Sequence, residues 1–236
     1  MRAAVMQGLH KPLAIETIAD PTPGEGDVVV KVGRCGICGS DLHMTEDPAY
    51  GQGAGSVLGH EFAGEVVALG KGVEGLRTGD LVSVIPLQSC GQCHACRAGK
   101  VQWCEKFGLQ GGGYAEYALT RPNQCMRLPS SASLADGAIV EPLAVALHGV
   151  ALSRMKIGDR VLVLGAGPIG LAVAFWARRF GQGAWSCRTL PNGSAIGRYR
   201  WAHTISSSIP PTPSVALRRR WVARLMSCSN ASACPA

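Results

Sequence analysis

Four cysteines, Cys90, Cys93, Cys96 and Cys104, stand in the spacing C-x2-C-x2-C-x7-C. A zinc ion is satisfied by four soft ligands in a tetrahedron, and a tight knuckle with a short return loop delivers them. Gly91 and Gly99 allow the turns, and Arg97, Lys100 and Lys106 supply positive charge that helps hold thiolates deprotonated. Four thiolates leave no open coordination position, so the expected role is structural. An iron–sulfur cluster and a set of unligated buried cysteines are the rival readings of the same residues. His94, inside the loop, reads as a solvated bystander.

A second set of residues is mixed. Cys38 lies in Gly36-Ile37-Cys38-Gly39-Ser40-Asp41-Leu42-His43, His60 and Glu61 follow Gly59, and Glu141 precedes Pro142. One thiolate, one imidazole and one or two carboxylates make a less closed zinc site, which keeps a position for water or an alcohol. An alcohol on such a metal loses its proton more readily, and the alkoxide can then pass hydride to a nicotinamide. Taken singly these pieces are unspecific. A lone histidine is more often structural than a ligand, and Cys35-x-x-Cys38 can be read as a redox pair, although no thioredoxin-like pattern surrounds it.

The third group is Gly165-Ala166-Gly167-Pro168-Ile169-Gly170, which comes after the apolar run Val161–Leu164 and opens a helical pattern. In that context the glycines let backbone approach a pyrophosphate, which rests on the helix N-terminus. The acid expected about 20 residues on for a ribose hydroxyl is missing from residues 185–190, so NAD and NADP stay equally open.

These groups need elements to hold them. Short β-type runs cover Ala3–Met6, Leu13–Ile18, Val28–Val32, Glu65–Leu69, Leu81–Ile85 and Tyr114–Leu119, with Gly, Pro and Asp between them. This predicts a β-rich, barrel-like domain. From Ser133 to Leu152 the pattern turns helical, with Ser133 as N-cap and Gly158 as a stop. Arg160–Leu164 then reads as a buried strand and Gly167–Phe180 as the helix after it.

The formal charge of +7 points at first toward nucleic acid, but its location argues otherwise. Residues 1–183 hold sixteen basic and sixteen acidic residues, whereas residues 184–236 hold seven arginines and no acid. Nucleic acid and membrane are therefore not expected partners. Met1–Ile18 has no secretory pattern, and Val161–Ala177 is short for a membrane span and carries the glycine motif, which leaves a cytoplasmic protein as the expectation.

The ordered set G-I-C-G-S-D-L-H, G-H-E, the four-cysteine lobe, G-G-Y-A-E-Y, E-P-L-A-V-A-L-H and G-A-G-P-I-G resembles the zinc-containing medium-chain dehydrogenases, above all the sorbitol, butanediol, idonate and threonine dehydrogenase subgroup. The resemblance runs from residue 1 to about 182. It implies a mixed α/β fold: a GroES-like, β-rich catalytic domain over residues 1–150, its structural zinc lobe at 88–106, then the first strand and helix of a truncated Rossmann domain over 151–183. It further implies two zinc ions per chain, one catalytic and one structural, with NAD or NADP. Cys38 and His60 would ligate the catalytic zinc, and Glu61 and Glu141 would ligate it directly or through water. Ser40 matches the hydroxyl that meets the substrate oxygen, His43 the next member of a proton relay, and Asp41 the acid that orients the histidine ligand. The implied reaction is oxidation of a small secondary alcohol or polyol to a ketone. Some polyol enzymes carry a tyrosine beside the residue matching His43, where this chain has Met44. A quinone reductase of the same superfamily is disfavoured, because those lack the lobe and the ligands.

Family members are longer and assemble as homo-dimers or tetramers, largely through the domain this chain lacks. Residues 184–236 contain Arg218–Arg220, Pro210 and Pro211, three tryptophans and three cysteines without periodicity. A basic low-order tail and an out-of-frame translation of a GC-rich gene are the two readings, and the tryptophans and cysteines favour the second. On that reading Ala184–Leu190 makes no Rossmann strand and the chain itself is inactive, a non-enzymatic zinc-binding fragment being the alternative function.

Overall fold

The computed structural model describes residues 1–181 and, beyond them, the backbone of 184–188 and 222–223. It divides into two compact units, Met1–Glu141 and Pro142–Ala236. The division falls ahead of the boundary expected at 150.

In chain order the first unit runs β1 (Arg2–Val5), β2 (Ala14–Thr17), β3 (Val28–Cys35), α1 (Gly39–Glu46), β4 (Phe62–Leu69), β5 (Leu81–Val84), β6 (Leu87–Gln88), α2 (His94–Arg97), β7 (Gly108–Leu109), β8 (Tyr117–Thr120), β9 (Cys125–Arg127) and α3 (Leu134–Ala138). The main sheet is antiparallel in the order β8-β3-β4-β5-β9. Val28, Val30, Phe62, Val66, Val82, Val84 and Ala118 form its buried core. These are mostly β-branched residues, whose stiff side chains suit a pleated, covered surface. β1 and β2 form a separate hairpin, and β6 and β7 a short ribbon that frames the cysteine lobe.

The β3–β4 pairing slips between Val29 and Val30 and again between Val32 and Arg34. Bulges of this kind bend a strand and re-aim the residues beyond it. Here β3 and β4 pair down to Cys35 opposite Phe62, so Cys38 and the His60-Glu61 pair leave from neighbouring strand ends. Strand register thus brings together residues about twenty positions apart in sequence.

The helix expected from Ser133 to Leu152 is two helices. α3 starts at Ser133, whose hydroxyl oxygen accepts from the Asp136 N–H at 3.2 Å while the Asp136 carboxylate accepts from the Ser133 N–H at 2.8 Å. It ends at Ile139, and α4 (Val140–Leu152) begins afresh. Pro142 explains the break. A continuous helix would set its ring against the Ala138 carbonyl, whereas in the first turn of a new helix the missing N–H costs nothing.

The second unit continues with β10 (Arg160–Leu164), α5 (Pro168–Arg179), β11 (Ala184–Arg188) and β12 (Val222–Ala223). Ala146, Val150, Val161, Val163, Val173, Ala174 and Ala177 pack together, and the Trp176 indole N–H donates to the Leu143 carbonyl at 2.8 Å. β10 lies between β11 and β12, parallel to both, with Arg160 opposite Ala184 and Leu162 opposite Val222. This corrects two expectations: Ala184–Arg188 is a strand, and the second unit holds more than one strand and one helix. A lone β10 would leave two rows of backbone N–H and C=O groups unpaired, and ladder bonding satisfies them whatever the side chains beyond. The other expectations for the tail, Trp201 and Trp221 among them, lie outside the described residues. Among the described residues no helix is long and apolar enough to cross a membrane.

Candidate functional site

The ligand atoms of Cys38, His60 and Glu61 all lie within 4.8 Å of one another. Cys38 heads α1, where its own N–H donates to the Asp41 carboxylate at 2.9 Å, the bond that caps the helix. His60 and Glu61 sit just before β4 and are 7% and 8% exposed. The Gly36 N–H donates to the Glu61 carbonyl at 2.7 Å, and a Cβ on Gly36 would overlap the Glu61 carboxyl group. A side chain at Gly36 would therefore have to displace that carboxyl.

Asp41, 3% exposed, stands 3.3 Å from His60 Nδ1, so the other ring nitrogen, Nε2, is turned toward Ser40 Oγ at 3.5 Å. A histidine that donates Nδ1–H to a carboxylate presents Nε2 as a lone pair, the form a metal binds. Burial opposes the imidazolium, but the bonds to Asp41 and Cys38 and their charges outweigh it and raise His60 to about 10 without metal. Burial also disfavours the Asp41 carboxylate, yet His60 and the Cys38 N–H hold it below its usual range. Burial lifts Glu61, partly offset by His60 and Cys38.

Glu141 does not join the group of converging ligand atoms. It opens α4, and its acidity is weakened first by burial and then by Glu61 and Asp41, with His60 acting the other way. Its carboxyl thus feels the charges of the cluster without joining its ligand atoms. His43 stacks on Tyr50 with ring centroids 6.0 Å apart, a partner that sequence reasoning did not find. Cys35 is set apart as well: burial, with Asp41 and Glu61 nearby, pushes its thiol up to about 12. A cavity of about 400 Å³ touches Asp41 and His60, walled by Met44, Leu58 and Tyr117. Neither Cys38 nor Glu61 lines it.

The four lobe cysteines also bring their sulfurs within 4.8 Å of one another. Backbone amides are aimed at the sulfurs: Cys90 and Lys106 N–H groups donate to Cys104 Sγ at 3.3 and 3.2 Å, and the Cys93 N–H to Cys90 Sγ at 3.4 Å. Amides of Cys96 and Glu105 lower Cys93 to about 6, whereas burial and the neighbouring sulfurs push Cys96 up to about 11. A quartet this tight cannot carry four negative charges by itself, and a divalent cation would resolve the conflict.

In the second unit Gly165 takes φ +101°, a left-handed conformation open to glycine. Gly167 is the N-cap of α5 and has no side chain to cover its first turn, Pro168 is the first helical residue, and a Cβ on Gly170 would strike the Gly165 carbonyl oxygen. With Ile169 these residues form the tight strand-to-helix turn that the motif predicts.

Residues 24–130 match the alcohol dehydrogenase GroES-like domain. The chain is 34% identical to sorbitol dehydrogenase of Bacillus subtilis strain 168 over 191 residues, which is 78% of this chain and 54% of that protein. Galactitol-1-phosphate dehydrogenase of Escherichia coli superposes with a TM-score of 0.73 at 31% identity, covering 79% of this chain and 55% of its own. An alcohol dehydrogenase of Escherichia coli CFT073, complexed with NADH, gives 0.72 at 33% identity over 79% of this chain and 56% of its own. The chain thus spans about half the length of the relatives it matches.

Proposed function

Since this chain belongs to the zinc-dependent medium-chain alcohol and polyol dehydrogenases, we propose that Cys38, His60 and Glu61 form its catalytic zinc site. We propose further that the reaction is oxidation of a small secondary alcohol or polyol to a ketone, with NAD or NADP. The observation that carries this is the convergence of a thiolate, an imidazole and a carboxylate within 4.8 Å, with Asp41 holding the imidazole by its other nitrogen. Soft and borderline donors in that mixture suit zinc, and three protein ligands leave a position open.

When bound, zinc would supply the Lewis acidity for loss of an alcohol's proton, and the nicotinamide would supply the hydride acceptor. Ser40 Oγ, 3.5 Å from His60 Nε2, would accept that proton, and His43, three residues farther along α1, would pass it outward. Glu61 would complete the ligand set, and Glu141 would act through water. The four-cysteine lobe would hold a second, structural zinc, and the turn Gly165–Gly170 would seat the pyrophosphate of the cofactor.

The test is zinc content and turnover of the full chain, with reduced nicotinamide monitored by absorbance. Two zinc ions per chain, of which His60→Ala loses one while the lobe keeps its own, is the expected result, with alcohol-dependent reduction expected once the reading frame after residue 183 is restored. Two zinc ions with no turnover of any alcohol or polyol would favour the zinc-binding, non-enzymatic reading.

A further inference from the structure

Tyr114 lies in the segment Gly112-Gly113-Tyr114-Ala115-Glu116-Tyr117, which is distinctive in the sequence yet has no part in the proton and hydride chemistry of the site. We propose that Tyr114 is a positioning residue of the mixed-ligand site and acts through Asp41. The inference rests on the reading of that site as a zinc site.

Asp41 accepts from four donors. The Cys38 N–H and the Tyr114 hydroxyl reach Oδ2 at 2.9 and 2.8 Å, and the Gly59 N–H and His60 Nδ1 reach Oδ1 at 3.1 and 3.3 Å. A carboxylate offers about four lone-pair sites, so this one is filled, two donors on each oxygen. The donors come from three separate stretches of chain: the one that bears Cys38, the one that bears His60, and residue 114. Asp41 therefore sets the position of one ligand segment relative to the other, and Tyr114 is the side chain that ties this carboxylate to a third point.

Tyr114 is itself fixed to the His60 segment before its hydroxyl engages. Its N–H donates to the Leu58 carbonyl at 3.0 Å, and the Gly113 N–H donates to the Gly59 carbonyl at 2.9 Å. Its ring lies so close over Gly59 that a Cβ there would come within 2.5 Å of it. Without the hydroxyl, Oδ2 would keep one protein donor, and the carboxylate could turn about its Cβ–Cγ bond. That turn would take Oδ1 away from His60 Nδ1 and release the imidazole from the orientation that presents Nε2. Partners one step removed from a metal act in this way, by restricting the ligand rather than touching the ion.

The experiment loads the full chain with Co²⁺, whose visible spectrum distinguishes a four-thiolate site from a one-thiolate site, and titrates each against a chelator. Tyr114→Phe keeps the ring and removes only the hydroxyl. It should weaken the one-thiolate site about tenfold, the low end for such partners, and leave the four-thiolate site unchanged. In an Asp41→Asn background the same change should cost less than about twofold, because the carboxylate through which it acts is gone. Unchanged cobalt affinity in Tyr114→Phe overturns the proposal. So does an equal loss at both sites, an unfolded variant, or a tenfold loss that persists beside Asp41→Asn, since each makes Tyr114 a packing residue. In the unaltered protein the Tyr114 hydroxyl proton should exchange slowly by NMR, and a freely exchanging one contradicts the bond. A wild-type chain that takes up only the lobe's metal refutes the zinc-site reading itself. A wild type that takes up two metals confines any failure to Tyr114.

Discussion

At the scale of single residues, the proposed catalytic site depends on a few close approaches. Glu61 reaches the cluster because Gly36 leaves room for its carboxyl. Gly36→Ala should push that carboxyl away, lowering zinc affinity at the mixed site about tenfold, in the range for perturbed ligand shells, with the lobe untouched. Chelator competition on the two zinc ions measures this, and equal affinity in the variant would show that Glu61 is dispensable. His60 carries a pH signature. Its value of about 10 in the metal-free protein lies above the unfolded value near 6.5. Its contribution to the metal-free fold is therefore full below about 6.5 and is lost as pH rises through about 10. Zinc must displace that proton, so uptake at the mixed site should release protons at neutral pH and tighten as pH increases. Calorimetry in buffers of different ionisation enthalpy should detect the release, and its absence would mean that the imidazole is already neutral.

Secondary-structure elements show how much of this was legible in the sequence. The three ligand-bearing motifs, the strands β3, β4 and β5, and the β10–α5 turn could all be read, because metal-ligand spacing, apolar runs and glycine positions are local signals. The convergence of Cys38 with His60 depends on β3–β4 register and its bulges, which no local pattern encodes. Tyr114 was invisible as a partner of Asp41 for the same reason: seventy-three positions separate them. Pro142 was a usable signal for the α3–α4 break and was outweighed by the apolar periodicity around it. The strand at Ala184–Arg188 has no signature in its composition, and the pairing needs of β10 account for it. α3 offers a direct test at this scale. Ser133 and Asp136 cap each other, and the bonds from the Ser133 hydroxyl and N–H hold Asp136 below the usual carboxylate range. Ser133→Ala should cost about 1 kcal/mol in unfolding, the usual loss of an N-cap. A depressed carboxyl stabilises above its unfolded pKa and loses that contribution as pH falls through its folded value, so Asp136→Asn should destabilise at neutral pH and matter little in acid. Denaturant melts at two pH values measure both, and a pH-independent Asp136→Asn effect would contradict the cap.

For the whole molecule, the two proposed metal sites differ in a way that should show in the order of their loss. The lobe would enclose its ion with four sulfurs, and backbone amides already point at Cys90 and Cys104. With zinc bound, the mixed site would offer three protein ligands and leave an open position where a chelator could attach before any protein bond breaks. A closed site must instead open a ligand first, which requires local unfolding of the loop between β6 and β7. Chelator added to the zinc-loaded chain should therefore release metal in two phases, one equivalent each, the first from Cys38, His60 and Glu61. The fold should depend on the second phase only: the mixed site hangs from strand ends whose sheet has its own buried core, whereas the lobe, with Trp103 and Phe107 exposed, has few apolar side chains to hold it without metal. The melting temperature should hold through the first equivalent and fall with the second, and Cys96→Ser should remove the slow phase and lower it from the start. A single release phase, or a melting temperature that drops with the first zinc, would mean that the two sites are not divided between chemistry and stability.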